Sequence, residues 1–330
     1  MKLLPYPDTP MFQCYHNMAF PFGVIQANSP EDMTKWMCTK CTNCIYFPNS
    51  NATKFNIAVQ DGWGVDEHLV NRQILQIRKD CLSRFNMDLL YILQQAIENN
   101  CYIYGTYNEK YIPGKWAYNQ ADNIHDFLII GCDDNKFISV GYVAGGRFKR
   151  FEIPNSNLIN GLLGTTDSKI DLNLYSYEQG AVPQPKINTI VYDLNQYMLT
   201  ATYRENPTQN SYLFGIATHM VLKDFFVDEI NKGKIYIDNR YSRVLYEHKW
   251  VFTQLVDSFM DDGEEKKKFR ECAQRNLERA KLVHMLGLKM RYTGKTDIIN
   301  RVTDLIDQII EEEMEYIPLL IKSLEAKYLG

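Results

Sequence analysis

Residues 123–131 place a polar histidine, followed by one aspartate, before a run of apolar residues, and this segment constrains the fold more than any other. An apolar run of this length between polar residues is typical of a buried β-strand, which we expect over residues 125–132. Asp133-Asp134-Asn135 then indicates a turn, and residues 136–143 are expected to return as the partner strand. The pattern predicts an antiparallel pair that holds the imidazole of His125 at a strand end, where it can act as a base.

A candidate nucleophile for that base lies near the start of the chain. Cys14 opens a segment, residues 14–27, that is expected to form a helix ended or kinked by Pro21. A thiol attacks an acyl carbon as the thiolate, and a neighbouring imidazole or a helix N-terminus lowers its pKa. Gln13 could donate to the developing oxyanion. The alternative is that Cys14 is a small core residue and His125 a hydrogen-bonded strand histidine.

The remaining pattern divides the chain in two. Residues 1–185 mix helix and strand signals, and residues 186–330 are dominated by helical spacing of apolar residues. We therefore predict an α+β domain with an antiparallel sheet over 1–185 and an all-helical domain over 186–330. The predicted elements are a helix over 66–98, strands over 101–107, 125–132, 136–143 and 147–153, a linker or cover loop over 164–187, and helices near 208–232, 238–260, 264–291 and 295–328.

Three cysteines at steps of three could begin a metal site. Cys38, Cys41 and Cys44 resemble the first ligands of a zinc or iron–sulfur centre, but no fourth ligand follows locally. Unliganded structural thiols are the favoured interpretation. Four other histidines have no cysteine or carboxylate at ligand spacing and are interpreted as structural: His16, His68, His219 and His284.

Composition and charge exclude other classes of function. The net charge is −4 and the isoelectric point about 5.9, so a nucleic-acid partner is not expected. No stretch approaches roughly 18 apolar residues, and prolines interrupt the first ten residues, so neither a membrane span nor a signal peptide is expected. The 8 cysteines are then expected to be reduced thiols of a cytoplasmic protein.

Several of these motifs resemble the butirosin biosynthesis protein H family. The resemblance lies in the residues around Cys14, in Tyr111–Gly114 and in His125–Asp134, and the segment Arg240–Lys249 is similar to one in the C-terminal half of family members. It implies a fold similar to that of papain-like and bacteriocin-processing cysteine peptidases. It also implies a catalytic pair of Cys14 and His125.

The reaction that this resemblance implies is acyl transfer in specialised-metabolite biosynthesis. An acyl group would come from the phosphopantetheine thioester of an acyl or peptidyl carrier protein and form an amide with a small amine or diamine. No cofactor bound by the chain itself is expected. The alternatives are a cysteine peptidase and a non-catalytic metal-binding protein that uses Cys38, Cys41 and Cys44.

The chain departs from the family pattern at one position. The family's orienting acid lies on the returning strand, where this sequence has Gly141. Asp133 is the expected substitute, while Asp126, an amide from another loop, or a dyad without a third member remain open. Aromatic residues near the site, Trp63, Tyr111, Trp116 and Tyr118, either line a water-excluding tunnel or are ordinary core and surface residues.

Overall fold

The computed structural model of the chain describes residues 1–47, 55–57, 69–199, 213–234 and 238–330. It divides into two units, the first made of residues 1–30 and 65–182, and the second of residues 31–64 and 183–330. The first unit is α+β and the second is mainly helical, as the sequence predicts. Residues 31–64, which the sequence analysis assigned to the first domain, belong to the second unit because their strands pair there.

The elements follow one another along the chain as strands and helices with these bounds: β1 (Lys2–Leu3), α1 (His16–Asn28), α2 (Pro30–Cys41), β2 (Cys44–Tyr46), β3 (Phe55–Ile57), β4 (Val70–Arg78), α3 (Lys79–Arg84), α4 (Leu89–Glu98), β5 (Tyr102–Asn108), a 3₁₀ turn (Glu109–Tyr111), β6 (Ile124–Cys132), β7 (Lys136–Val143), β8 (Arg147–Pro154), α5 (Asn155–Leu163), β9 (Lys169–Tyr177), α6 (Ile187–Leu199), β10 (Leu213–Phe214), α7 (Ala217–Asn231), α8 (Asn239–Phe259), α9 (Glu264–Thr293) and α10 (Ile299–Tyr328).

An antiparallel sheet forms the centre of the first unit. Its strand order is β4-β9-β5-β6-β7-β8, and β1 pairs with β6 beyond the end of β5. β6 lies inside the sheet, and residues 127–132 of this strand are buried, as their apolar run predicts. The start of β6 is different, because Ile124 and His125 are exposed. This end of the strand, paired with the end of β5, holds the candidate base.

Two predictions for the first unit are wrong. Residues 70–78 form β4 instead of the first part of a helix, and they pair along their whole length with β9. β9 itself lies in the segment predicted as a linker. Its buried Ile170 and Leu172 alternate with exposed Asp171, which is the period of a strand with one polar face.

The second unit is built of packed helices and a small sheet in the order β10-β2-β3. α8 packs along α9, and α10 packs against α9, α6 and α7. The predicted helices begin and end close to the observed ones except that α7, predicted from about residue 208, begins at Ala217, and residues 208–212 of that prediction lie outside the described residues. The described part of the chain adds α2 and α6, which were not predicted. No helix of the described residues is both long and apolar enough to cross a membrane.

Candidate active site

One carboxylate joins two histidines at the start of β6. The Nδ1 atoms of His16 and His125 lie 2.8 Å and 2.7 Å from Oδ1 of Asp126, and the two rings are nearly perpendicular with centroids 5.0 Å apart. His16 is the first residue of α1, so the sheet and this helix both contribute. We call His16, His125 and Asp126 the Asp126 cluster.

The carboxylate determines the protonation pattern of the cluster. Burial alone would raise the pKa of Asp126, but the hydrogen bonds from His125 and His16 outweigh it and lower the pKa. An ionised carboxylate only accepts hydrogen bonds, so both imidazoles donate from Nδ1 and the neutral rings keep Nε2 as the basic atom. Because the Nε2 atom is the one left to exchange protons, His125 has the tautomer that a general base needs.

The two histidines differ in exposure and therefore in charge. The hydrogen bond to Asp126 raises the pKa of His125, whose side chain is 46 % exposed. Burial lowers the pKa of His16, despite the opposing effect of Asp126, and keeps this ring neutral. Nε2 of His16 is buried and has no hydrogen-bond partner among the described residues.

Cys14 lies two residues before His16, just ahead of the N-terminus of α1. It is 3 % exposed. The positive end of a helix dipole favours a thiolate at this position. Gln13, the predicted oxyanion donor, donates from Nε2 to the carbonyl of Pro10 at 3.3 Å. Its role as an oxyanion donor stays a prediction.

A buried ion pair supports the segment that carries Cys14. Nζ of Lys115 lies 3.3 Å from Oε1 of Glu109 and donates to the carbonyl of Tyr142 at 2.7 Å. The hydroxyl of Tyr142 in turn donates to the carbonyl of Gln13 at 2.5 Å. This chain of contacts connects β7 to the residue before Cys14 and fixes its backbone.

Gly141 has a structural reason to lack the acid that the family pattern expects. Its φ is +146°, a backbone conformation that favours glycine, and a Cβ built there would lie 3.3 Å from Nε2 of His16. Any side chain at this position would press on the His16 ring. The position therefore accommodates the second histidine, and the carboxylate that contacts His125 comes from β6.

The structure does not bring Asp133 to His125. Asp133 lies beyond the opposite end of β6, and at about 3.3 Å per residue the eight-residue separation corresponds to about 26 Å. Its carboxylate accepts from the backbone N–H groups of Asn135 and Lys136 at 3.0 Å and 3.1 Å and so shapes the turn. Asp126, which the sequence left as an alternative, is the carboxylate at His125.

The three spaced cysteines are buried in the second unit. Cys38 and Cys41 lie on α2 and Cys44 on β2, and burial raises the pKa of each thiol. Within the described residues they do not form a group of three converging ligands.

The aromatic residues predicted near the site differ in exposure. Trp116 is 71 % exposed, Tyr111 and Tyr118 are half-buried, and Trp63 lies outside the described residues.

The Asp126 cluster has the side chains of a metal site but the distances of a hydrogen-bonded one. One donor atom from each of its residues lies within 4.8 Å of the others. Ligands held about 2.0–2.2 Å from one zinc ion are about 3.0–3.5 Å apart. The two Nδ1–Oδ1 separations of 2.7 Å and 2.8 Å are shorter and fit shared protons.

Comparison with known proteins adds no family to these observations. No protein-family model matches the sequence, and no curated protein matches it. Function is therefore inferred from the chemistry of Cys14 and the Asp126 cluster.

Proposed function

We propose that this chain is a cysteine-dependent acyltransferase of papain-like fold that makes amides from carrier-bound thioesters. The observation that carries the proposal is the 2.7 Å contact between His125 and Asp126, which orients the imidazole of His125. Asp126 also contacts His16, and His16 follows Cys14 by two residues along the chain. A nucleophile at a helix start, a base and an orienting carboxylate are the parts that thiol-based acyl transfer needs. The motifs that resemble the butirosin biosynthesis protein H family support the same reaction.

In the first half-reaction, Cys14 takes the acyl group from the carrier. His125 accepts the thiol proton of Cys14, and the resulting thiolate attacks the thioester carbonyl. The tetrahedral intermediate collapses, the C–S bond to phosphopantetheine breaks, and the protonated His125 returns the proton to the departing thiol. One thioester replaces another, so this step is close to balanced in free energy.

In the second half-reaction, an amine takes the acyl group from Cys14. The amine nitrogen attacks the acyl-cysteine carbonyl, His125 accepts a proton from that nitrogen, and the Cys14 thiolate leaves. The proton on His125 then returns to the thiolate. Because an amide is more stable than a thioester, this step drives the sequence. Among the reactions known for such proteins, it resembles that of the amide synthetase of closthioamide biosynthesis.

The test is an intact mass spectrum after incubation with a synthetic acyl-pantetheine thioester, with and without a diamine. Cys81, Cys101 and Cys272 are partly exposed and could be acylated non-specifically. The protein is therefore used with these three replaced by alanine, and a second sample also carries Cys14→Ala. We expect one acyl group on the first sample, none on the second, and release of the acyl group as an amide when the diamine is added.

Two results would contradict the proposal. Equal acylation with and without Cys14 would mean that Cys14 is not the nucleophile. Turnover of peptides with no transfer from thioesters would make the chain a cysteine peptidase, for which the same catalytic groups suffice.

A further inference from the structure

His16 is the member of the Asp126 cluster that the mechanism above leaves without a task. The sequence offers no reason to select it, since its carboxylate partner lies 110 positions away along the chain. In the structure it donates to the same oxygen of Asp126 as His125 does. It is also the first residue of the helix that Cys14 precedes.

The surroundings of His16 hold its ring in one orientation. The ring stacks on Phe20 with centroids 4.4 Å apart and on Tyr142 at 5.8 Å. Its side chain is 6 % exposed. An imidazole fixed in this way can hold the carboxylate in place while His125 moves to exchange a proton.

The charges around the cluster are compatible with a neutral His16. Lys115 disfavours a positive charge on His16, although its own pairing with Glu109 reduces its field. The remaining charged neighbours are Asp126 and His125. His125 exchanges its proton at Nε2, so both rings keep donating from Nδ1 to Asp126, and the charge of the cluster changes at His125 while His16 stays neutral.

We propose that His16 is a positioning residue of the acyl-transfer site, holding Asp126 in place for His125 and tying that carboxylate to the helix that follows Cys14. This inference rests on the proposed function for its catalytic consequence. Its structural content, a carboxylate shared by two imidazoles, stands on the contacts alone.

Two variants separate the hydrogen bond from the ring. His16→Phe keeps an aromatic ring against Phe20 but removes the donor. His16→Asn places an amide N–H near the position of Nδ1 and keeps the donor without the ring. If the hydrogen bond matters, we expect His16→Phe to slow Cys14 acylation about 10- to 100-fold, as for loss of a hydrogen bond to a charged group. His16→Asn should stay within about threefold of the parent protein.

The titration of His125, followed by NMR of ¹⁵N-labelled histidine, gives a readout that a purely structural role would not change. With one donor fewer, the Asp126 carboxylate attracts the proton of His125 more strongly. The midpoint of His125 should therefore move to higher pH in His16→Phe and stay unchanged in His16→Asn. Unchanged rate and midpoint in His16→Phe, or equal losses in both variants, would overturn the inference.

The parent protein supplies a measurement that does not depend on how the variants fold or on activity. Its NMR spectrum should show His16 as the neutral Nδ1–H tautomer throughout the titration of His125. A charged His16, or an Nε2–H tautomer, would overturn the inference. If acyl transfer is not detected but this tautomer is found, the proposed function fails while the shared carboxylate stands.

Discussion

Asp126 binds two imidazoles through one oxygen, and the exposure of each ring decides its chemistry. His16 is buried and neutral, so it acts as a fixed donor. His125 is 46 % exposed and its pKa is raised, so it can gain and lose a proton near neutral pH. Exposure thus distinguishes the proposed positioning residue, His16, from the proposed base, His125, although both bind the same carboxylate oxygen.

Replacing Asp126 should therefore affect catalysis more than any other carboxylate near the sheet. The side-chain amide of an Asp126→Asn variant carries no charge, so the pKa of His125 should fall and its ring should lose its fixed tautomer. We expect the rate of Cys14 acylation to fall about 10²- to 10⁴-fold, measured by mass spectrometry at neutral pH. Asp133→Asn is the matched control, since the hydrogen bonds of the Asp133 carboxylate in the described contacts go to backbone N–H groups of the turn, and it should change the rate less than about twofold by the ordinary surface rule.

Comparing the acylation rates of these two variants shows which carboxylate acts on His125. A larger loss in Asp133→Asn than in Asp126→Asn would restore the carboxylate that the sequence suggested. It would also remove Asp126 from the mechanism.

The sequence reveals part of this site because some of its signals are local. His125 was identified because it borders an apolar run, which is a feature of neighbouring residues. His16 was interpreted as structural, since its bond to Asp126 depends on how α1 packs near β6. Asp126 was named only as an alternative to Asp133. Adjacent strand residues ordinarily point to opposite faces. At the exposed start of β6, Nδ1 of His125 nevertheless reaches the carboxylate beside it.

At the scale of elements, the sequence is informative where one pattern dominates. β7 has the predicted bounds, and α8 begins after Asp238, whose side chain accepts from the N–H of Arg240 at 2.9 Å as a helix N-cap. β4 was mistaken for a helix because Leu69, Ile74 and Ile77 continue the helix-like spacing of the apolar residues that follow, and most of its side chains are exposed. Only its pairing with β9, about a hundred residues later, defines it as a strand.

The contact between α8 and α10 contains a feature that no local pattern predicts. Lys249 and Glu313 form an ion pair at 2.6 Å with both side chains 0 % exposed. Tyr197 donates to the other oxygen of Glu313 at 2.6 Å, and Lys249 also contacts the Tyr197 hydroxyl at 3.1 Å. The pair is completed by α6, so three helices share one buried polar network.

Breaking this pair from one side should destabilise the second unit strongly. Lys249→Met leaves the Glu313 carboxylate buried without its cation, and we expect a loss of about 3–5 kcal/mol in the free energy of unfolding, measured by urea denaturation. Adding Glu313→Leu should recover much of that loss, because the buried charge is gone. The pair of half-buried Lys266 with exposed Asp262 is the control, and Lys266→Met should cost less than about 1 kcal/mol.

The double variant tests the physical reason directly. If it is no more stable than Lys249→Met alone, the loss comes from packing and not from the unpaired carboxylate.

At the scale of the whole molecule, each unit buries a histidine as part of a hydrogen-bonded network. His16 does so in the first unit, and His219 and His248 do so in the second. Burial lowers the pKa of all three, and the charge of Lys249 lowers it further for His219 and His248. The folded state therefore keeps these three buried histidines neutral, and both units should lose stability as the pH falls.

The sign of the pH dependence follows from where the protons bind. In the unfolded chain a histidine has a pKa of about 6.5 and becomes charged below it. The folded state excludes that proton from His219 and His248, so stability is full above about pH 6.5 and falls as the pH drops. From pH 7.5 to pH 5.0, two such groups lower the free energy of unfolding by about 4 kcal/mol. The raised pKa of His125 acts in the opposite direction, but its partial exposure keeps this contribution small.

His248→Gln tests this origin, because Gln can keep a donor for the carbonyl of Thr42, which lies 3.1 Å from Nε2 of His248, without being able to titrate. We expect urea denaturation followed by far-ultraviolet circular dichroism to show about half of the pH dependence attributed to His219 and His248, a reduction of about 2 kcal/mol between pH 7.5 and pH 5.0. An unchanged dependence in this variant would mean that His248 is protonated in the folded state. Its ring would then need an acceptor for a second proton at Nδ1, where Lys249 lies 3.2 Å away, and two cations would share a site that is buried from solvent.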